Sequence, residues 1–274
     1  MKSIFSKVLA LCTLFGCAAS AYAIPTLQVG APGTGVGNLY ANYDPSSSLP
    51  TETQTALTSG NNILVGGAYA NGANQELLIG GKYTGGKDWA AVLKAKFGGS
   101  LSDYAAFNGK GAVLVASVPN GVAGSLTVNG ANAFFTSSTK SLFPNEHDPV
   151  KASISDFMFF DIGNFAKNSP AIPNFVNESA GPINSFGEIK NLLISTSGFQ
   201  WIHFDVMALK TQNKINTKTG VLTIATALVS NPASHDVSWR PGISPFGVPE
   251  PATPLLLGLG LIGMLMMARR ARSK

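Results

Sequence analysis

The sequence predicts an all-β fold, a β-sandwich or jelly-roll-like ectodomain, and three observations favour it. Short runs rich in β-branched and aromatic residues recur along the chain, and Gly, Asn, Pro and Ser separate them. No long segment carries a 3.6-residue apolar period. Glycine is abundant, with 30 of 274 residues, while charged residues make up only 12%, about half the usual share of a soluble domain. The predicted strand regions are residues 61–70, 75–83, 89–97, 111–118, 124–129, 154–162, 188–195, 201–209 and 221–229.

Turn-forming residues organise these runs into one ectodomain, predicted over residues 24–240. Residues 71–74 read Asn-Gly-Ala-Asn and predict a hairpin-like turn between the first two strands. The run 89–97 is the most ambiguous, because its Ala, Leu and Lys would also suit a helix. The Gly- and Pro-rich stretches 30–60 and 163–187 predict long loops, and no linker is clean enough to divide the ectodomain.

The first 23 residues predict a secretory signal peptide. Lys2 and Lys7 give a positive start, a short apolar core follows, and residues 21–23 read Ala-Tyr-Ala, a cleavage pattern for signal peptidase. The run is too short for a membrane-spanning helix. A lipoprotein processing site ending at Cys17 is an alternative.

Both cysteines of the chain, Cys12 and Cys17, fall inside this predicted signal peptide. The mature chain would therefore contain no cysteine, which excludes structural disulfides, thiol catalysis and cysteine-based zinc sites. A chain of this size can bury a full core without disulfides.

The C-terminus has three consecutive parts after a predicted spacer at 241–247. A proline-rich motif comes first, an uncharged run of fourteen residues (255–268) follows, and a basic end (269–274) closes the chain. As a helix, the run covers about 21 Å, less than the roughly 30 Å hydrocarbon core of a membrane. The basic end predicts a cytoplasmic C-terminus. The motif residues are Val248, Pro249, Glu250 and Pro251, and the orienting cations are Arg269, Arg270 and Arg272.

The motif, the apolar run and the basic end, in this order, resemble the PEP-CTERM sorting signal of Gram-negative bacteria over residues 248–274. The resemblance implies passage through the secretion translocon and a transient stay in the inner membrane. It also implies processing by an exosortase, followed by release or transfer to the cell surface or the exopolysaccharide matrix of a biofilm. The alternative is an ordinary single-span membrane anchor.

The formal net charge of +5 belongs to the two ends of the chain. Without the six terminal Lys and Arg residues and Glu250, 13 basic and 13 acidic residues remain. Nucleic-acid binding needs clustered cations on the folded domain, so a nucleic-acid partner is not expected.

Each of the three histidines has an aspartate within two positions, which suggests a metal site. In a strand, His203 and Asp205 share one face, opposite Ile202 and Phe204. Imidazole and carboxylate groups suit zinc or another divalent ion, and calcium is the other metal to consider. The alternative is that these pairs form solvated hydrogen bonds without any cofactor. The candidate ligands are His147, His203, Asp205, His235 and Asp236.

Catalytic chemistry has little support in the sequence. There is no G-x-S-x-G elbow, and no serine or carboxylate stands in a distinctive motif. We therefore expect a protein that is not an enzyme, with a structural or adhesive role. The alternative is a carbohydrate-binding or hydrolytic domain acting on matrix polysaccharide, for which Trp201 is the candidate to stack on sugar rings. Residues 201–205 and 234–239 resemble, more loosely, the choice-of-anchor ectodomains of bacterial surfaces, which implies a β-rich exported domain.

Overall fold

The predicted all-β fold is confirmed, since the protein is a β-sandwich. A computed structural model describes residues 26–31, 55–69, 77–167, 169–170, 172, 175, 186–215 and 217–241. Two sheets pack face to face in this part of the chain. The strands are β1 Leu27–Gly30, β2 Thr55–Thr58, β3 Asn62–Tyr69, β4 Leu77–Gly80, β5 Ala112–Pro119, β6 Ser125–Val128, β7 Phe135–Ser137, β8 Ser155–Gly163, β9 Ser169–Pro170, β10 Phe186–Ser197, β11 Ile202–Ile215, β12 Leu222–Ser230 and β13 Asp236–Trp239.

The predicted strand at 89–97 is wrong, because this segment is the helix α1, Trp89–Phe97. The Asp88 carboxylate accepts a hydrogen bond from the Trp89 N–H at its start, and Gly98, with a φ of 75°, ends it. Apolar residues at positions one and five of the helix, Trp89 and Leu93, are buried together. The helix propensity of its Ala, Leu and Lys residues therefore outweighs the strand preference of the aromatic residues at the two ends of the run.

The strands form two sheets with many crossovers. The first sheet has the order β1-β3-β10-β6, with β9 also pairing with β10. The second has the order β2-β13-β11-β5-β8-β7, and β4 and β12 pair with the far end of the long strand β11. Strands β3 and β4 belong to different sheets, so the predicted hairpin between them is wrong. Residues 71–74 themselves lie outside the described residues.

Five strands were not predicted: β1, β2, β7, β9 and β13. Each has at most four residues, too few to show an alternating pattern. Strands β2 and β9 lie within stretches predicted as loops. Strand β13 matters most, because it pairs with β11 beside the candidate ligands.

The second sheet is covered on both of its faces. One face packs against the first sheet, where Leu114 and Phe204 meet Val65. The other face packs against α1, a 3₁₀ helix at Ser102–Phe107 and residues 141–150, which we call the cover segment. The side chains of this second core are Trp89, Leu93, Tyr104, Phe107, Val113, Val115, Leu142, Phe143, Val150, Phe157, Phe159, Met207 and Leu209, with further smaller residues. The molecule thus has three layers, and the candidate ligands lie between the second and third.

Candidate metal centre

Strand β11 presents its residues alternately to the two cores. Phe204 and Val206 point into the core between the sheets, while His203 and Asp205 point to the opposite face, as their spacing predicts. The alternative in which this pair is solvated is wrong, because both side chains have 0% exposure. His147 of the cover segment lies against both of these side chains.

Strand β13 brings a second carboxylate to this face. It runs antiparallel to β11, with His203 opposite Ser238 and Phe204 opposite Val237. Continuing this register by one residue places Asp236 beside Asp205. The Asp236 side chain also has 0% exposure. Two acidic side chains therefore lie next to each other on neighbouring strands inside the protein.

The cover segment supplies the fourth group, His147, which immediately precedes a short 3₁₀ helix at Asp148–Val150. Its imidazole packs edge-on against the rings of Phe143 and His203, with centroids 5.8 and 5.1 Å apart. The His147 side chain keeps 8% of its surface exposed. It closes the site from the solvent side.

The four side chains point ligand atoms at a common point. His147 Nε2 lies 3.0 Å from His203 Nε2, 3.5 Å from Asp205 Oδ2 and 3.7 Å from Asp236 Oδ2. His203 Nε2 lies 3.2 Å from Asp205 Oδ2 and 3.8 Å from Asp236 Oδ2. All four ligand atoms lie within 4.8 Å of one another. An arrangement of two imidazole nitrogens and two carboxylate oxygens can accept a cation.

Outer contacts orient three of these groups. His147 Nδ1 lies 3.0 Å from the carbonyl oxygen of Asn145, and His203 Nδ1 lies 2.8 Å from Ser238 Oγ. Asp205 Oδ1 accepts a hydrogen bond of 2.8 Å from Asn231 Nδ2. Asp205 Oδ2 is buried and lies outside hydrogen-bonding geometry with its neighbours, so it is held facing the other ligand atoms.

The Asp205 carboxylate is ionised in this setting. Burial alone would raise its pKa, but the charges that His203 and His147 carry when protonated, with the hydrogen bond from Asn231, hold the pKa below its usual range. A perturbed pKa in a buried cluster of this kind marks a candidate functional site.

Of the five predicted metal ligands, His235 lies apart from the other four. Its Nδ1 is 2.9 Å from Ser234 Oγ, and burial lowers its pKa to about 4, so its ring is neutral at physiological pH. Trp201, the predicted glycan contact, has only 6% of its surface exposed. Asn145, Asn231 and Ser238 were not predicted, because nothing in their local sequence marks them as partners of distant ligands.

The comparisons with known proteins concern the end of the chain. The fold and the centre define an all-β ectodomain with a closed cluster of metal-ligand type. Residues 247–272 match the PEP-CTERM protein-sorting motif, and the chain therefore carries the signal of an exported, exosortase-processed protein. No curated protein and no solved structure matches the chain. The predicted motif residues and the run 255–268 lie outside the described residues. Among the described residues, no helix is long and apolar enough to cross a membrane.

Proposed function

We propose that this exported protein has a structural or adhesive role at the cell surface or in the extracellular matrix, and that it is not an enzyme. The observation that supports this role is the closure of the candidate centre. Three of its four side chains have 0% exposure and the fourth has 8%. Catalytic metal sites keep an open position for water or substrate, whereas structural sites are closed.

The sorting tail supports a route to that location. From the sequence we infer an extended segment at Pro249, Glu250 and Pro251, because proline resists both helix and sheet. In this proposal, the apolar run 255–268 would hold this segment at the outer face of the inner membrane, and the basic end would orient it with the C-terminus in the cytoplasm. Exosortase cleavage near the motif would then free the ectodomain.

Replacing Pro249, Glu250 and Pro251 together by alanine tests this route. We expect an unprocessed, full-length chain in the inner-membrane fraction, measured by immunoblotting of fractionated cells. The matched control replaces Pro241 and Pro245, two prolines of the spacer, by alanine and should be processed normally. Normal processing and release of the motif variant would refute the sorting role.

A separate assay tests the structural role against the carbohydrate alternative. Purified protein is applied to a glycan array and incubated with matrix polysaccharide, and new reducing ends are measured. We expect neither binding by Trp201 nor turnover, because little of this ring is exposed. Saturable glycan binding that is lost in Trp201→Ala, or release of reducing ends, would overturn the proposal.

A further inference from the structure

We propose that His147, His203, Asp205 and Asp236 bind one divalent transition-metal ion, of which Zn²⁺ fits best, and that this ion fastens the cover segment to the second sheet. The inference deepens the proposed structural role. Metal content is measured independently of processing and glycan binding, so either proposal can fail without the other.

The spacing of the ligand atoms fits four-coordinate binding. Ligands about 2.1 Å from a tetrahedral metal ion lie about 3.4 Å from one another. Five of the six distances among the four ligand atoms range from 3.0 to 3.8 Å, around this value, and the two carboxylate oxygens lie within 4.8 Å of each other. The side chains therefore need only small adjustments to take up metal-ligand distances.

The tautomer of His147 directs a lone pair at the centre. The carbonyl oxygen of Asn145 can only accept, so the Nδ1 of His147 carries a proton. In a neutral ring this leaves a lone pair on Nε2, which faces His203 Nε2 at 3.0 Å. When Nδ1 of His203 also donates, to Ser238 Oγ, two lone pairs meet at this distance and repel; when it accepts, His203 Nε2 carries the proton, which a metal ion displaces on binding. A metal ion between the nitrogens turns that repulsion into two bonds.

The charge of the centre also matches a dication. Asp205 and Asp236 are fully buried, and burying an ionised carboxylate without a cation is costly. In the described part of the chain, no lysine or arginine pairs with Asp205; its ion-pair partners are His147 and His203. A proton shared by the two imidazoles brings one positive charge to this pair of carboxylates, whereas a dication brings two.

The outer contacts are those of a preorganised metal site. Metal-binding histidines usually donate their second N–H to a carbonyl, hydroxyl or carboxylate group, which fixes the ring and its tautomer. The Asn145 carbonyl accepts from His147 in this way, and the Ser238 hydroxyl lies 2.8 Å from His203 Nδ1, where it can do the same. Asn231 holds one oxygen of Asp205 and leaves the other directed at the centre.

The donor set distinguishes between metals. Two imidazole nitrogens and two carboxylate oxygens suit Zn²⁺ and Co²⁺ in four-coordinate geometry. Calcium takes six to eight oxygen ligands, and magnesium keeps an octahedral shell with several waters. The closed centre presents two nitrogens and excludes solvent, so it disfavours both.

The position of His147 gives the ion a mechanical role. The other three ligands belong to β11 and β13, whereas His147 belongs to the cover segment. Within this segment Leu142 has a φ of 51°, a conformation that costs a non-glycine residue roughly 1–2 kcal/mol. The ion would therefore help to hold a segment with an unfavourable backbone against the second core.

Metal binding is tested on the full chain, purified in mild detergent and stripped with EDTA. After loading with Zn²⁺ and gel filtration, elemental analysis should give about one zinc per chain. Loading with Co²⁺ should give the intense visible absorption of four-coordinate cobalt. Hydrogen exchange in the cover segment should slow when zinc is added. Absence of stoichiometric zinc, or the weak spectrum of six-coordinate cobalt, would overturn the proposal without any variant.

Two histidine variants test which residues bind the ion. His147→Ala should lower zinc affinity at least 10-fold in calorimetric titration, because it removes one of the four ligands. His235→Ala, the matched control, should bind as tightly as the unmodified chain, because that ring points at Ser234. An equal loss in both variants, or full affinity in His147→Ala, would refute this ligand set.

Discussion

In the metal-free protein, at a pH at which both imidazoles of the centre are neutral and no longer offset the two carboxylates, replacing Asp205 by asparagine should raise stability rather than lower it. The change removes one of two buried carboxylates whose ligand atoms lie within 4.8 Å of each other. At this distance, two unit charges repel by about 3.5 kcal/mol at an effective dielectric constant near 20. An asparagine amide can also donate a hydrogen bond to the lone pair of His203 Nε2. We expect a net gain of roughly 1–3 kcal/mol at pH 8 in EDTA.

The order of stabilities should reverse when zinc is added. A ligand at 100 times its dissociation constant stabilises a folded protein by about 2.7 kcal/mol. The unmodified chain should gain this amount, whereas Asp205→Asn has lost a ligand and should gain little. For a domain of this size, each kcal/mol moves the melting temperature by roughly 2–4 °C. Thermal unfolding followed by circular dichroism, with EDTA and with zinc, measures both effects.

The matched control is Asp161→Asn, the same chemical change at an exposed position. The Asp161 carboxylate accepts hydrogen bonds from the backbone N–H groups of Gly111 and Gly163, each of 3.0 Å, and an amide oxygen can replace it. The control should respond to zinc like the unmodified chain. If Asp205→Asn is less stable than the unmodified chain in EDTA, the carboxylate is stabilised by the protein alone and the reasoning fails.

Two further predictions concern the contacts that join the sheets, and chemical denaturation in urea measures both. Tyr69→Phe should lower the free energy of unfolding by roughly 1–3 kcal/mol. The Tyr69 hydroxyl donates to the Phe165 carbonyl oxygen at 2.6 Å and accepts from the Ile79 N–H at 3.2 Å. A change below about 0.5 kcal/mol would contradict this role. Gly67→Ala should cost a similar amount, because its new Cβ would lie 2.6 Å from two ring atoms of Phe165. Gly60→Ala, where the nearest atom is 3.3 Å away, should cost less, and equal effects would show that close packing at Gly67 is not the cause.

Strand alternation could be predicted from the sequence, but burial could not. The order of residues 202–206 predicts that His203 and Asp205 share a face, and they do. The burial of this face depends on the cover segment, which comes from a distant part of the chain. The run 89–97 was predicted as a strand because nine residues are too few to distinguish the 3.6-residue period of a helix from the two-residue period of a strand. In the structure, Asp88 and Gly98 cap this run as a helix.

The choice among the histidines shows the same limit. Proximity in sequence grouped His235 with Asp236, but only Asp236 belongs to β13 and reaches the centre. Neighbouring residues in an extended chain point to opposite sides, so one member of such a pair is often turned away. The register between β11 and β13 places Asp236 rather than His235 at the centre. This register could not be predicted, because β13 has only four residues and shows no clear pattern in the sequence.

The sequence by itself determined the fold class and the sorting motif, because alternation, turn residues and terminal signals are local patterns that need no partner. Only the tertiary structure decided that His147 and His203, 56 residues apart, meet with two carboxylates inside the protein. This meeting depends on strand register and on the packing of a third layer, which are properties of distant segments together. The charges at the two ends of the chain were visible in the sequence, whereas the buried charges of the centre became visible only in the fold.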